Sequence, residues 1–183
     1  MQALWHIRLA LALRGSEVKS ITVVNRSFSR AEALLAKVRT ENEQKWGSRC
    51  TFHYLDPNGT DYEDEIEAHL FRANAIFCTV GSTNPLFAAR FVIQERPDGH
   101  RPLISAVGSW QSSMIELDPA ILQHAASLMR AGRSGAVLAD DRDSGLKNSG
   151  EIVQSMIGGK ASSRWLRLWK SADRAQADLA DHN

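Results

Sequence analysis

No Gly-x-Gly occurs anywhere in the 183 residues. The usual turn by which a nucleotide-binding sheet brings backbone against a pyrophosphate is therefore missing. Also missing are a Gly-x-Ser-x-Gly elbow, a Cys-x-x-Cys and a His pair at ligand spacing. These absences remove the nucleophile of a hydrolase, a dithiol redox centre and the common zinc site, so no metal is expected. The six histidines are scattered, and His6 and His124 read as structural side chains. There are only two cysteines, Cys50 and Cys78, at no motif spacing, which excludes a disulfide scaffold and suggests a reducing compartment. Neither sign of charge dominates: the formal net charge is +1, so nothing argues for nucleic acid or an acidic membrane as partner. No apolar stretch approaches the ~18 residues needed to span a bilayer. The apolar N-terminal stretch is broken by His6 and Arg8 and has no small-residue cleavage site, so it does not read as a leader. A cytoplasmic location is the default that these exclusions leave.

What is present is an ordinary globular composition, 43% hydrophobic and 23% charged, in a length that suits one domain with a substantial core. At helical period Leu4, Ile7 and Leu11 share a face, with Ala3 and Ala10 beside them, and Gly15 stands where a helix ends. Strand-like and helix-like segments then alternate. The strands are 20–25, 50–55, 75–80, 102–108 and 136–141. Helices are expected from Ser29 onward, from about Tyr62 to Phe71, and from Pro119. The acidic run Asp61–Glu65 reads as a solvated helix start. Cys78, within "NAIFCTV", reads as a small buried hydrophobe. Nearly continuous apolar strands separated by helices predict a doubly wound parallel α/β sheet covered on both faces. Residues 1–156 are read as this domain and 157–183 as a helical C-terminal tail, joined at "IGGKASS".

Ligands of such sheets sit at the carboxyl ends of the strands. After the first strand come Asn25-Arg26-Ser27. An NAD-preferring sheet places a carboxylate here for the ribose 2′-hydroxyl. None is present, and Arg26 offers a planar fork suited to the 2′-phosphate of NADP, with Arg30 one turn on. The competing reading is that Ser29-Arg30-Ala31-Glu32 is a capping box and the arginines are surface cations. The third strand exits into Gly81-Ser82-Thr83-Asn84-Pro85, the fourth into Gly108-Ser109-Trp110, and the fifth into Asp141-Arg142-Asp143. The first two of these exits suit a pyrophosphate or a flat ring, or are simply polar turns.

Taken in order, six segments resemble the ornithine cyclodeaminase/mu-crystallin family: the opening Gln2-Ala3, Asn25-Arg26-Ser27, "FCTVGSTNPLF", "LISAVGSWQSSMIELDPAIL", "VLADDRDSGLKNSGEI" and "LWKSADRAQADLA". Shikimate dehydrogenase-like and glutamyl-tRNA reductase-like sheets share only the Asn-Arg-Ser/Thr. The resemblance implies a Rossmann-like domain that binds NADP, with NAD as the alternative. It implies cofactor contacts at Gln2, Asn25, Arg26, Ser27, Arg30, the exits Thr79-Val80-Gly81 and Val107-Gly108-Ser109, and Ser171. Gln2 matches the residue just past the family's glycine loop, so the expectation is a cofactor half that lacks its first strand, its glycine loop and its substrate domain.

The activity that the resemblance implies is reduction of an amino-acid-derived cyclic ketimine. Ornithine cyclodeamination and a non-catalytic nucleotide-binding remnant are the alternatives. Cyclodeaminases carry a catalytic Asp where this chain has Trp110, which argues for imine reduction. Val80-Gly81 replaces a frequent Thr-Pro, and Asp173 replaces the Gly of the Lys-Ser-x-Gly segment. No catalytic residue is assigned, because the family holds its substrate in the upstream domain. Full-length members also dimerise through that domain. A central strand inserts about four large apolar side chains at ~1.5–3 kcal/mol each, roughly 6–12 kcal/mol. Whole domains keep a net ~5–15 kcal/mol. The chain alone is therefore expected to be marginal, with two central strand edges unpaired.

Overall fold

The computed structural model describes residues 2–132, 137–138 and 147–157. It is a mixed α/β chain with short strands in two separate sheets of two strands each. Two compact units divide it: Met1–Thr79 with Gln94–Ser105, and Val80–Ile93 with Ala106–Asn183.

The first unit opens with α1 (Gln2–Arg14), whose Ile7 and Leu11 are buried as the apolar spacing predicts. Gly15 follows, but its backbone is not left-handed; a Cβ there would lie 2.5 Å from the Leu11 carbonyl oxygen. Close approach, not a positive φ, is what calls for glycine here. β1 (Ser20–Val24) leads into α2 (Phe28–Glu41), which continues as a π-helical turn, Asn42–Trp46. Gly47, at φ 58°, ends that turn in the left-handed region. Parallel to β1 runs β2 (Thr51–Leu55), in register from Ser20 opposite Thr51 to Val24 opposite Leu55. Ile7, Leu11, Val38 and Cys50 form a core cluster under these elements, with Leu4, Ile21, Val23 and Phe52 packed against it. At its margin Arg8 donates from Nε to Glu41 Oε2 at 2.7 Å and also bonds Oε1.

The acidic run opens α3 (Tyr62–Arg72), with Glu63, Asp64 and Glu65 in its first turn, where the helix dipole favours negative charge. Ile66 and Leu70 are its buried face. β3 (Ala75–Cys78) pairs with β4 (Leu103–Ala106), and the Leu103 N–H donates to the Asn74 carbonyl at 2.9 Å. Cys78 is buried, as its apolar setting predicts. Among the described residues the two sheets share no ladder: β1 pairs with β2, and β3 with β4. β1, β3 and β4 end before their apolar runs do, at Val24, Cys78 and Ala106, whereas β2 begins one residue late, at Thr51.

In the second unit a short α4 (Arg90–Ile93) buries Phe91 and Val92. α5 (Pro119–Arg130) begins with proline at its first position, as expected. Asp118 caps it, accepting from the Ala120 N–H at 3.0 Å and, with its other oxygen, from the Ala89 N–H at 3.3 Å. α5 packs on α6 (Gly150–Ile157), with Gln123 Nε2 donating to the Ser155 carbonyl. Among the described residues Ile115, Leu117, Ile121, Leu122, Ala126 and Leu128 join Ala89, Phe91 and Val92 as this unit's buried apolar side chains. The expected fifth strand lies largely, and the expected tail almost wholly, outside the described residues. No helix among the described residues is long and apolar enough to cross a membrane.

Candidate functional site

At the carboxyl end of β1, Asn25 folds into an Asx turn, its Oδ1 accepting from the Ser27 N–H at 2.8 Å. The Asn25 carbonyl accepts from the Tyr54 hydroxyl at 3.0 Å, tying the turn to β2. Ser27 is the N-cap of α2, its Oγ accepting from the Arg30 N–H at 3.4 Å. This displaces the expected capping box: the cap is Ser27 rather than Ser29, so the third helical residue is Arg30 and Glu32 lies too far along to close the box. The turn thus occupies Asn25 and Ser27 with backbone and leaves Arg26 and Arg30 exposed. Neither enters an ion pair among the described residues. An uncommitted guanidinium beside a helix N-terminus can take a phosphate by charge and by forked hydrogen bonds.

The exits of β3 and β4 meet in the second unit around a side chain that motif reading passes over. Glu116 is fully buried. Its Oε1 accepts from the Val80 N–H at 2.6 Å, and its Oε2 accepts from the Gly108 N–H at 2.5 Å. Glu151, also buried, accepts from the Glu116 N–H at 2.5 Å, from the Leu117 N–H at 3.3 Å, and from the Ser109 and Ser149 hydroxyls. Burial pushes the Glu116 carboxyl above its usual range and the neighbouring Glu151 adds to this, while the Gly108 and Val80 N–H bonds pull it back. Both oxygens accept from N–H groups, a pattern that a side-chain amide cannot reproduce.

Gly108 leaves no room for a side chain, since a Cβ would lie 2.5 Å from the Val80 oxygen and 2.6 Å from Glu116 Oε1. Gly150 is tighter still, at 1.7 Å from the Met114 oxygen. The two exits are thus locked together by backbone contact and one carboxylate. Their apolar side chains face outward: Val80 is 36% exposed and Val107 41%. An exposed apolar ledge on pinned backbone can seat a flat ring.

The structure therefore brings Val80, Gly81, Val107, Gly108 and Ser109 together in one unit. It brings Asn25, Arg26, Ser27 and Arg30 together in the other, which also holds Gln2 and Thr79. Gln2 is the first residue of α1, and its carbonyl lies 3.1 Å from His6 Nδ1. That His6 ring lies tilted against Phe77, with centroids 4.8 Å apart. Thr79 follows β3 and is partly buried. Ser171 lies outside the described residues. The sequence reading missed Glu116 and Glu151 as site builders. The available signal was a lone acid beside apolar residues in "MIEL" and again in "GEIV".

Comparisons with protein families, with curated proteins and with solved structures find no match to this chain.

Proposed function

We propose that the chain is the cofactor-binding part of an NADP-dependent oxidoreductase of the ornithine cyclodeaminase/mu-crystallin type, reducing a small amino-acid-derived cyclic ketimine. The observation that carries this reading is the β1–α2 turn. It spends Asn25 and Ser27 on its own geometry and leaves Arg26 and Arg30 exposed and without an ion pair among the described residues, with no carboxylate at the position that NAD-selective sheets reserve for one. In this reading Arg26 and Arg30 take the 2′-phosphate. The cofactor supplies the hydride, and the chain's residues bind and orient it. Trp110, exposed and without acid–base capacity, supports imine reduction over deamination of ornithine.

The test is fluorescence titration of the chain with NADPH and with NADH. NADPH is expected to bind more tightly. Arg26→Glu is expected to weaken NADPH roughly tenfold, since hydrogen bonds to a charged group contribute about 1.5–3 kcal/mol, and to leave NADH nearly unchanged. Equal binding of the two cofactors by the unaltered chain would overturn the reading. The division of the strands into two separate pairs favours a second reading, a nucleotide-binding protein without turnover. NADPH binding without consumption of NADPH in the presence of a cyclic ketimine would select it.

A further inference from the structure

We infer that Phe28 is a platform for a nucleobase, so that the β1–α2 turn recognises an adenosine 2′-phosphate by its ring as well as by its phosphate. The inference rests on the reading of Arg26 and Arg30 as the phosphate contacts, and every residue it uses lies in the first unit. Three observations carry it. Phe28, the first residue of α2, continues at helical spacing the stripe of Ala31, Leu35 and Val38, which are buried. The core does not reach it, and its side chain stays 60% exposed.

The exposed ring is also braced. Tyr54 of β2 meets it with centroids 5.3 Å apart and ring planes at 67°, an edge contact rather than a parallel stack. The Tyr54 hydroxyl donates to the Asn25 carbonyl at 3.0 Å, so the brace and the turn that carries Arg26 are one assembly. Finally, the ring is flanked by cations: Arg26 stands two residues before it and Arg30 two residues after, both exposed. An apolar partner would use the ring and leave the guanidinium groups idle, and a bare phosphate would do the reverse. A phosphorylated nucleoside uses both, its base stacked on the aromatic side chain and its phosphate on the forked donors.

The probe is 2′,5′-ADP, which carries the base and the 2′-phosphate but no nicotinamide. Phe28→Leu keeps apolar bulk without a flat ring and is expected to weaken 2′,5′-ADP roughly tenfold, the size of one lost base stack. Phe28→Tyr keeps the ring and is expected to bind within about twofold of the unaltered chain. A cross-relaxation signal between the Phe28 ring protons and the adenine C2–H or C8–H protons is expected in the unaltered chain, which general loosening would not produce. Should Phe28→Leu fail to fold, that signal decides. Unchanged binding by a folded Phe28→Leu, equal loss in both variants, or absence of the signal overturns the platform. The phosphate reading stands in those cases if Arg26→Glu still weakens 2′,5′-ADP. If the unaltered chain binds 2′,5′-ADP no more tightly than 5′-AMP, the phosphate reading itself falls, and the inference with it.

Discussion

Two buried or nearly buried glutamates solve the same problem in opposite ways. In the first unit Glu41 sits at the margin of an apolar core and is held by a cation, Arg8, through two side-chain bonds. In the second unit Glu116 sits at full burial and is held by backbone N–H groups, with a second carboxylate for a neighbour. The Arg8 guanidinium lowers the Glu41 carboxyl below its usual range, whereas burial raises that of Glu116. The first arrangement stitches a helix to a helix at the surface of a finished core. The second places a costly charge where it can organise two loops, an expenditure more typical of a site than of a scaffold.

Replacing side chains in each region tests how far this contrast goes. The largest effect is expected at Leu35, 1% exposed in the first unit's core. Leu35→Ala is expected to remove about 3 kcal/mol, read from urea unfolding, because this region depends on apolar packing. Next comes Gly108→Ala in the second unit, where the added methyl meets the Val80 oxygen and the Glu116 carboxylate. A loss of about 2 kcal/mol is expected in the same measurement. If the ranking is reversed, the Glu116 tie between the two exits rather than the apolar core dominates stability.

A smaller effect distinguishes the two carboxylates by the sign of their pH dependence. Glu41, lowered in the folded state, contributes stability that is present above its unfolded value and is lost as the pH falls through its folded value. Glu116, raised in the folded state, runs the other way: its contribution is complete below its unfolded value and declines as the pH rises through its folded value. Thermal melts from pH 3 to pH 8 should therefore show the deficit of Glu41→Gln shrinking toward acid, and that of Glu116→Gln shrinking toward neutrality. The smallest effect is expected at Gly81→Ala, where the new methyl meets only the mobile end of Met114. A change within about 0.5 kcal/mol would set the rigid exit at Gly108 apart from an adaptable one at Gly81.

The elements were legible where periodicity was strong. Ile7 and Leu11 announced α1, Ile66 and Leu70 fit α3, and Pro119 marked the first residue of α5. Strand ends were less legible, because an apolar run does not say where the ladder stops and the exit begins. Cys78 ends β3, although Thr79 and Val80 continue the same run. The choice between Ser27 and Ser29 as helix cap depended on Asn25 closing an Asx turn first, a local competition that spacing alone does not resolve. The exits themselves were found from their glycines. Their tie to Glu116 was not, because that carboxylate is eight residues from Gly108 and thirty-six from Val80. The relation is purely spatial.

The same helix that packs Ile7 and Leu11 inward turns Trp5 outward, and there Arg8 lies over the indole ring, 4.6 Å from its centroid. The guanidinium that grips Glu41 is therefore also stacked on a fluorophore. When acid protonates Glu41 and loosens its hold, the cation over the indole gains freedom, and the quenching it exerts on Trp5 changes. The chain thus carries a built-in optical gauge of its own α1–α2 latch, readable by emission once the other four tryptophans, Trp46, Trp110, Trp165 and Trp169, are changed to phenylalanine.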